Sequence, residues 1–199
     1  MKTKIGIDVD GVLAIHYDRT IDMLNERYNV YVNPRDLDTY HFEDYYSEHF
    51  GLNKDEMTAY LTELWENPNY LPESAPSLPM IRACRELAGM SLDPQGPYIV
   101  TARVEKTRDM TKAWLDRYGI AYNSIIHTPD KASFVREKKI KYFIEDAPHQ
   151  ALEIASTGCG VFLIDYPYNR RVNATGLNGI WRVENPLEIP HLIRADLAK

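Results

Sequence analysis

From Gly96 onward the chain alternates short apolar runs with helix-like stretches. That alternation restricts the fold to a parallel sheet wrapped by helices, because strands that run in the same direction need crossover connections between them. Pro97-Tyr98-Ile99-Val100 reads as a strand ending at Thr101, and a helix over 103–118 follows, stopping at Gly119 in a left-handed cap. Residues 123–127 read as the next strand, 131–137 as a helix, and Ile140-Lys141-Tyr142-Phe143-Ile144 as a strand that ends at Glu145-Asp146. Pro148 suits the first turn of a helix to 157, 160–164 and 180–183 read as two further strands, and a short C-terminal helix closes the series.

The first strand lies far from these, at Lys4-Ile5-Gly6-Ile7, and runs directly into Asp8-Val9-Asp10-Gly11-Val12-Leu13. Alternate residues of an extended chain share a face, so the spacing predicts that Asp8 and Asp10 point the same way. Two like charges so close repel unless a cation or a shared proton neutralises them. Mg2+ suits such a place, since it takes few carboxylates, keeps waters and accepts a phosphate. An acid-x-acid-Gly run also occurs in ordinary turns, so its meaning depends on what else reaches the same edge of the sheet.

Between 14 and 75 the pattern changes to helical periodicity with no convincing strand, which reads as a helical cap inserted into the core. Tyr17, Ile21, Leu24 and Tyr28 share one helix face; Phe42, Tyr45, Tyr46, His49 and Phe50 a second; Met57, Tyr60, Leu61, Leu64 and Trp65 a third. Asn53 with Glu56 signals the start of the last of these helices. Pro68, Pro72, Pro76 and Pro79 stiffen the return, and a helix over 78–87 leads back to the sheet. The expected organisation is an α/β core of 1–13 and 76–199, a Rossmann-like parallel sheet with helices on both faces, carrying a helical cap of 14–75.

Composition narrows the function classes. A formal net charge of −6 over 199 residues disfavours a binder of nucleic acid polymers or membrane surfaces, which needs a basic face. The two cysteines, Cys84 and Cys159, stand in apolar surroundings without a metal-binding or redox spacing, as expected of reduced thiols in a cytoplasmic protein. Asp8 and Asp10 interrupt the N-terminal apolar run long before it could act as a signal-peptide core. The oligomeric state is left open.

In open parallel sheets, ligands bind beyond the carboxyl ends of the strands. Asp8 and Asp10, Thr101, and Glu145-Asp146 all stand at such ends, and Lys131 opens a helix one connection earlier. Two carboxylate clusters, a hydroxyl and an ammonium on one edge suit phosphoryl transfer. Each has a plainer reading as well: Thr101 as a strand end, Glu145-Asp146 as acids at a helix start, Lys131 as one of several lysines.

Taken in order, the four groups resemble the motifs of the haloacid dehalogenase-type phosphohydrolases. Ile99-Val100-Thr101-Ala102-Arg103, Phe143-Ile144-Glu145-Asp146 and Asp165-Tyr166-Pro167-Tyr168-Asn169-Arg170-Arg171-Val172 are most similar to the 5'(3')-deoxyribonucleotidase-like group. The resemblance implies that Asp8 is a nucleophile forming an aspartyl-phosphate. It implies that Asp10 is the acid and base for leaving group and water, and that Thr101 and Lys131 bind the phosphate. It further implies Mg2+ on Asp8, Asp146 and the main-chain carbonyl of Asp10, with Glu145 acting through metal-bound water, although the two adjacent acids could exchange these roles. Arg103 is a further candidate for the phosphate, or simply a first-turn residue of its helix. Ala102 and Pro129 depart from the Ser and the basic residue that studied nucleotidases of the group carry there, so the expected substrate is a small phosphorylated metabolite, first a nucleoside or deoxynucleoside 5'-monophosphate and second a sugar phosphate. A phospho-acceptor module and a catalytically silent phosphate-binding protein rank below both.

On the cap, Tyr40, His41, Tyr45 and Tyr46 are the residues singled out for contact with substrate, against the simpler expectation that the cap's aromatic residues pack its own core. His16 and Tyr17 border the first motif, and the Arg170-Arg171 pair is expected in a solvated loop.

Overall fold

The structure is a computed structural model that describes residues 3–89, 96–176 and 178–198. Six parallel strands form the main sheet: β1 Ile5–Ile7, β4 Tyr98–Thr101, β5 Ser124–His127, β6 Tyr142–Glu145, β7 Gly160–Ile164 and β8 Ile180–Val183. Their order across the sheet is β5-β4-β1-β6-β7-β8. The chain moves outward from β1 through β4 to β5, then returns to β1's other side for β6. That reversal opens a crevice at the carboxyl end of β1, flanked by the ends of β4 and β6. The strands are short, and the central ones, β1, β6 and β7, are buried on both faces along almost their whole length, as parallel strands covered by helices must be.

Side-chain alternation along the central strands divides two cores. Tyr142, Ile144, Phe162 and Ile164 face a layer that includes Leu87, Trp114, Ile189 and Ile193, carried by α5 Leu78–Gly89, α6 Arg108–Arg117 and α9 Ile189–Leu197. Phe143, Val161 and Leu163 face the opposite layer, where α7 Lys131–Lys138 contributes Val135 and α8 Pro148–Ala155 contributes Ile154. Gly6 makes this arrangement possible at the centre, for a Cβ there would lie 2.4 Å from the Phe143 ring. Both cysteines are buried. Among the described residues no helix is long and apolar enough to cross a membrane.

The segment after β1 holds α1 Tyr17–Tyr28, α2 Phe42–Phe50, α3 Lys54–Glu66 and α4 Tyr70–Glu73. Local chemistry sets their ends: α1 terminates at Asn29 in the left-handed region, α2 at Gly51, and the Asn53 side chain accepts from the backbone N–H groups of Asp55 and Glu56 at the start of α3. Tyr17, Ile21, Leu24, Phe42, Tyr46, Met57 and Leu61 make a third core, which also takes in Tyr168 from the loop after β7.

Two expectations need correction. The segment 14–75 was expected to carry no strand, yet Ala14–Ile15 (β2) pairs antiparallel with Ala75–Pro76 (β3), so the chain leaves and re-enters the core through one two-stranded ribbon. The helix expected from 103 starts five residues later: Val104 is extended and a 3-10 turn at Glu105–Thr107 precedes α6. Competition explains the delay, since the Arg103 N–H donates to the Thr101 hydroxyl and the Arg103 side chain is drawn away to an acid.

Candidate active site

β1 ends at Ile7, and the Asp8 N–H donates to the carbonyl of Ile144, which fixes the acid at the mouth of the crevice. The chain then turns tightly, with the Gly11 N–H donating to the Ala14 carbonyl and the Leu13 N–H to that of Val9. Gly11 adopts a positive φ of 72°, and a Cβ there would stand 2.2 Å from an Asp146 carboxylate oxygen. Only glycine permits the two motifs to approach this closely.

Three acids converge: carboxylate oxygens of Asp8, Glu145 and Asp146 lie within 4.8 Å of one another, and all three residues are buried. Lys131, only 1% exposed at the first position of α7, is their cationic neighbour, with Nζ 3.0 Å from Asp8 Oδ2 and 2.8 Å from Glu145 Oε2. Asp130 caps that helix by accepting from the Ser133 N–H, holding the turn that delivers the lysine. One ammonium cannot balance three buried carboxylates. Burial pushes the Asp8 carboxyl well above the ordinary carboxylate range against the opposing pull of Lys131. Burial, with Glu145 adding to it, pushes Asp146 up to about 8. Asp8 Oδ1 is buried without a hydrogen-bond partner. An oxygen donor set with unspent negative charge and an unpartnered oxygen fits a hard cation.

The second acid of the first motif is handled differently. Arg103 grips Asp10 with two parallel bonds, Nε to Oδ2 and Nη2 to Oδ1, both 2.7 Å. His16 Nδ1 stands 3.7 Å from the same Oδ1. Burial raises the Asp10 carboxyl, but the Arg103 guanidinium, seconded by His16, outweighs it and holds the group below its ordinary value. Arg103, a candidate for the phosphate, therefore spends two of its nitrogens on Asp10, while its Nη1 is buried and unpartnered. Thr101 is also buried at the same edge.

Asp8, Asp10, Thr101, Arg103, Lys131 and Asp146 form the floor of a cleft of about 430 Å3, with Glu145 buried behind them. Its other wall comes from the helical segment and α8: His16, Tyr40, His41, Glu43, Thr58, Thr62, Trp65 and Glu66 from the former, His149 and Gln150 from the latter. Tyr40 and His41 are thus where a ligand could meet them, but Tyr45 and Tyr46 are not cleft residues. Tyr46 is wholly buried, donating through its hydroxyl to Asn25, and Tyr45 stacks on His49 away from the floor. Their helical spacing placed them in or beside the core of the segment. Arg170 pairs with Asp165 and Arg171 with Asp38, both in solvent-exposed positions.

Residues that sequence reasoning gave no role also meet here. Gln150 Oε1 is buried and unpartnered at the cleft, with its amide N–H donating to the Pro129 carbonyl. Tyr168 donates to Asp146 Oδ2 at 2.5 Å, and Asn169 donates to the Asp146 carbonyl at 2.9 Å. The signal for the last two was their place just after another strand end, in the Tyr-Pro-Tyr-Asn run.

The family model for "5' nucleotidase, deoxy (Pyrimidine), cytosolic type C protein" matches residues 2–198. The chain is 28% identical over 169 residues to a Clostridium acetobutylicum protein named a nucleotidase, covering 84% of this chain and 82% of that one. Among solved structures, a haloacid dehalogenase-like hydrolase from Streptococcus pneumoniae superposes with a TM-score of 0.63 at 16% identity, covering 96% and 98% of the two chains. A D,D-heptose bisphosphate phosphatase from B. bronchiseptica superposes with a TM-score of 0.51 at 14% identity, covering 98% and 99%. The match along nearly the whole chain, on a fold shared with haloacid dehalogenase-type hydrolases, means that this protein belongs to the type C 5'-nucleotidase family and is a phosphoric monoester hydrolase.

Proposed function

We propose that the protein hydrolyses a small phosphomonoester, a nucleoside or deoxynucleoside 5'-monophosphate first among them, with Mg2+ in the acidic pocket and Asp8 as nucleophile. The observation that carries this reading is the asymmetry of the two aspartates. Asp8 has an unpartnered oxygen beside Lys131, whereas Asp10 is held as a carboxylate by Arg103.

Asp8 attacks phosphorus and displaces the ester oxygen, forming an aspartyl-phosphate, while Lys131 and the Thr101 hydroxyl steady the phosphoryl oxygens. Once Arg103 has let go and Asp10 has taken a proton from solvent, Asp10 passes that proton to the departing alkoxide and later takes one from the water that hydrolyses the acyl phosphate. Arg103 must loosen its hold for the first of these, and an incoming phosphate oxygen offers its unpartnered Nη1 a ligand in exchange. Mg2+, when bound, would offset the charge of the acids against the anionic phosphate. Asp8 and Asp146, with the main-chain carbonyl of Asp10, are the proposed holders. Glu145 is a poorer one, because its Oε2 faces Lys131 and its Oε1 accepts from the backbone N–H groups of Asp146 and Ala147. The heptose phosphatase structure contains magnesium and phosphate, which supports the same pairing here. Residues 14–75 are proposed as the cap, contributing the wall that recognises the rest of the substrate.

A second reading rests on that wall. Glu43, Thr58, Thr62 and Glu66 line it, and hydroxyl-rich sugar phosphates would suit such groups as well as a nucleoside would. The test is phosphate release from a panel of nucleotides and phosphosugars with and without Mg2+. Release that requires Mg2+ and is led by nucleotides in kcat/KM is expected; a lead by phosphosugars selects the second reading. No release from any phosphomonoester overturns both.

A further inference from the structure

The loop after β7 contributes two consecutive residues to one acid. Asn169 Nδ2 donates to the main-chain carbonyl of Asp146 at 2.9 Å and to that of Ile164 at 2.7 Å, tying the end of β6 to the end of β7. Asn169 is itself fixed: its Oδ1 accepts from Arg182 Nη1 at 2.6 Å, and Arg182 also reaches Asp165 and the carbonyls of Asn169 and Val172. The backbone of Asp146 is therefore anchored, and its side chain retains freedom only about its own torsions. Tyr168 removes that freedom by donating to Oδ2.

The Tyr168 ring is in turn held from several sides. Tyr166 stacks on it with centroids 5.1 Å apart and planes 7° from parallel, Tyr17 of α1 meets it at 5.0 Å, and Tyr40 stands edge-on at 5.6 Å. Tyr17 and Tyr40 belong to the helical segment, Tyr166 and Tyr168 to the sheet's loop. A rigid phenol wedged between the two parts of the molecule thus ends on the carboxylate beside Asp8.

We propose that Tyr168 is a positioning residue for the acidic pocket: by occupying Oδ2 it turns Oδ1 of Asp146 toward the cation shared with Asp8. It also makes the pocket's grip on that cation depend on how the helical segment is seated. Partners that orient a ligating carboxylate commonly carry a tenfold or larger share of metal affinity, so the hydroxyl has a measurable role apart from packing. The inference rests on reading the acidic pocket as a cation site.

The test is titration of the whole protein with Mn2+, free ion being followed by electron paramagnetic resonance and Mg2+ added as competitor. Tyr168→Phe keeps the ring and its stack but removes the donor. It is expected to weaken Mn2+ binding about tenfold, with the unfolding midpoint within a few degrees of the parent. Tyr166→Phe, altering the other ring of the same stack, is expected to stay within about twofold, and para-aminophenylalanine at 168, which restores a donor, to recover most of the loss. The Mg2+ concentration for half-maximal phosphate release should rise for Tyr168→Phe more than kcat falls at saturating Mg2+. Parent-like affinity in Tyr168→Phe overturns the proposal, as does an equal loss in Tyr166→Phe or in the amino-substituted protein. A parent that binds no Mn2+ overturns it together with the cation site, whereas a parent that binds Mn2+ but releases no phosphate overturns the proposed reaction alone.

Discussion

The floor and the wall of the cleft are built on opposite principles. The floor consists of groups that would be costly anywhere else: Asp8, Asp146 and Lys131, with Glu145 directly behind them, are buried together and held by strand ends and backbone hydrogen bonds. The wall consists of ordinary helix-surface residues such as Thr58, Thr62, Trp65 and Glu66, with solvent on one side and a packed aromatic core behind. Buried charge without matching countercharge persists only where something other than stability retains it. In the floor, function and stability are therefore opposed, while in the wall they are nearly independent.

Asp8→Asn breaks that opposition most sharply. On the proposed role of Asp8 as nucleophile, phosphate release should fall by about four orders of magnitude or more, while the thermal unfolding midpoint without added metal rises, because one of the surplus carboxylates is gone. A drop in the midpoint would refute the idea that the floor is held against its own repulsion. Lys131→Met tests the other sign. It should lower kcat/KM by about two to three orders of magnitude and destabilise the protein by about 3 kcal/mol in urea unfolding, since it strips the acids of their single buried ammonium.

The wall should respond in preference rather than power. Trp65→Leu is expected to change the ratio of kcat/KM between nucleotides and phosphosugars by about tenfold, leaving kcat for the better substrate within a factor of a few. Glu66→Gln removes the 2.6 Å contact to Lys106, which joins the wall to the segment before α6. Both side chains are exposed, so unfolding free energy should move by less than about 1 kcal/mol, and even less in high salt.

The smallest effect is a pH dependence outside the cleft. Burial raises the Asp165 carboxyl, but Arg170 and Arg182 together hold it below its ordinary value. A group depressed in the folded protein contributes stability above its unfolded pKa and loses it as pH falls through the folded one. Parent and Asp165→Asn should thus differ in midpoint at neutral pH and converge in acid; a gap that persists well below the carboxylate range would assign the effect to hydrogen bonding alone.

The same contrast governs what could be read from the residues. Asp8, Thr101, Lys131 and Glu145-Asp146 were legible because strand ends of a parallel sheet converge, and polar groups there follow apolar runs in a fixed order. Sheet order was not legible, since the jump from β5 back to β6 beside β1 is decided by crossover packing. Nor was the Arg103 grip on Asp10, which needs two strand ends side by side. On the wall, aromatic periodicity identified helices but not their outward faces: Tyr40 and His41 line the cleft from just before α2, whereas Tyr46 turns inward. The β2 and β3 pair escaped notice because two residues are too few for a pattern.

That small ribbon has a consequence for how such a molecule can vary. The chain leaves for and returns from the stretch between 16 and 74 through one stalk, so the two ends of the excursion already lie side by side. Lengthening, shortening or exchanging the excursion leaves the distance to be closed unchanged, and the entropic cost of loop closure grows only logarithmically with length. The stalk begins four residues after Asp10, so a graft made there changes the space above the acids while the chain's path through the sheet beneath them is kept.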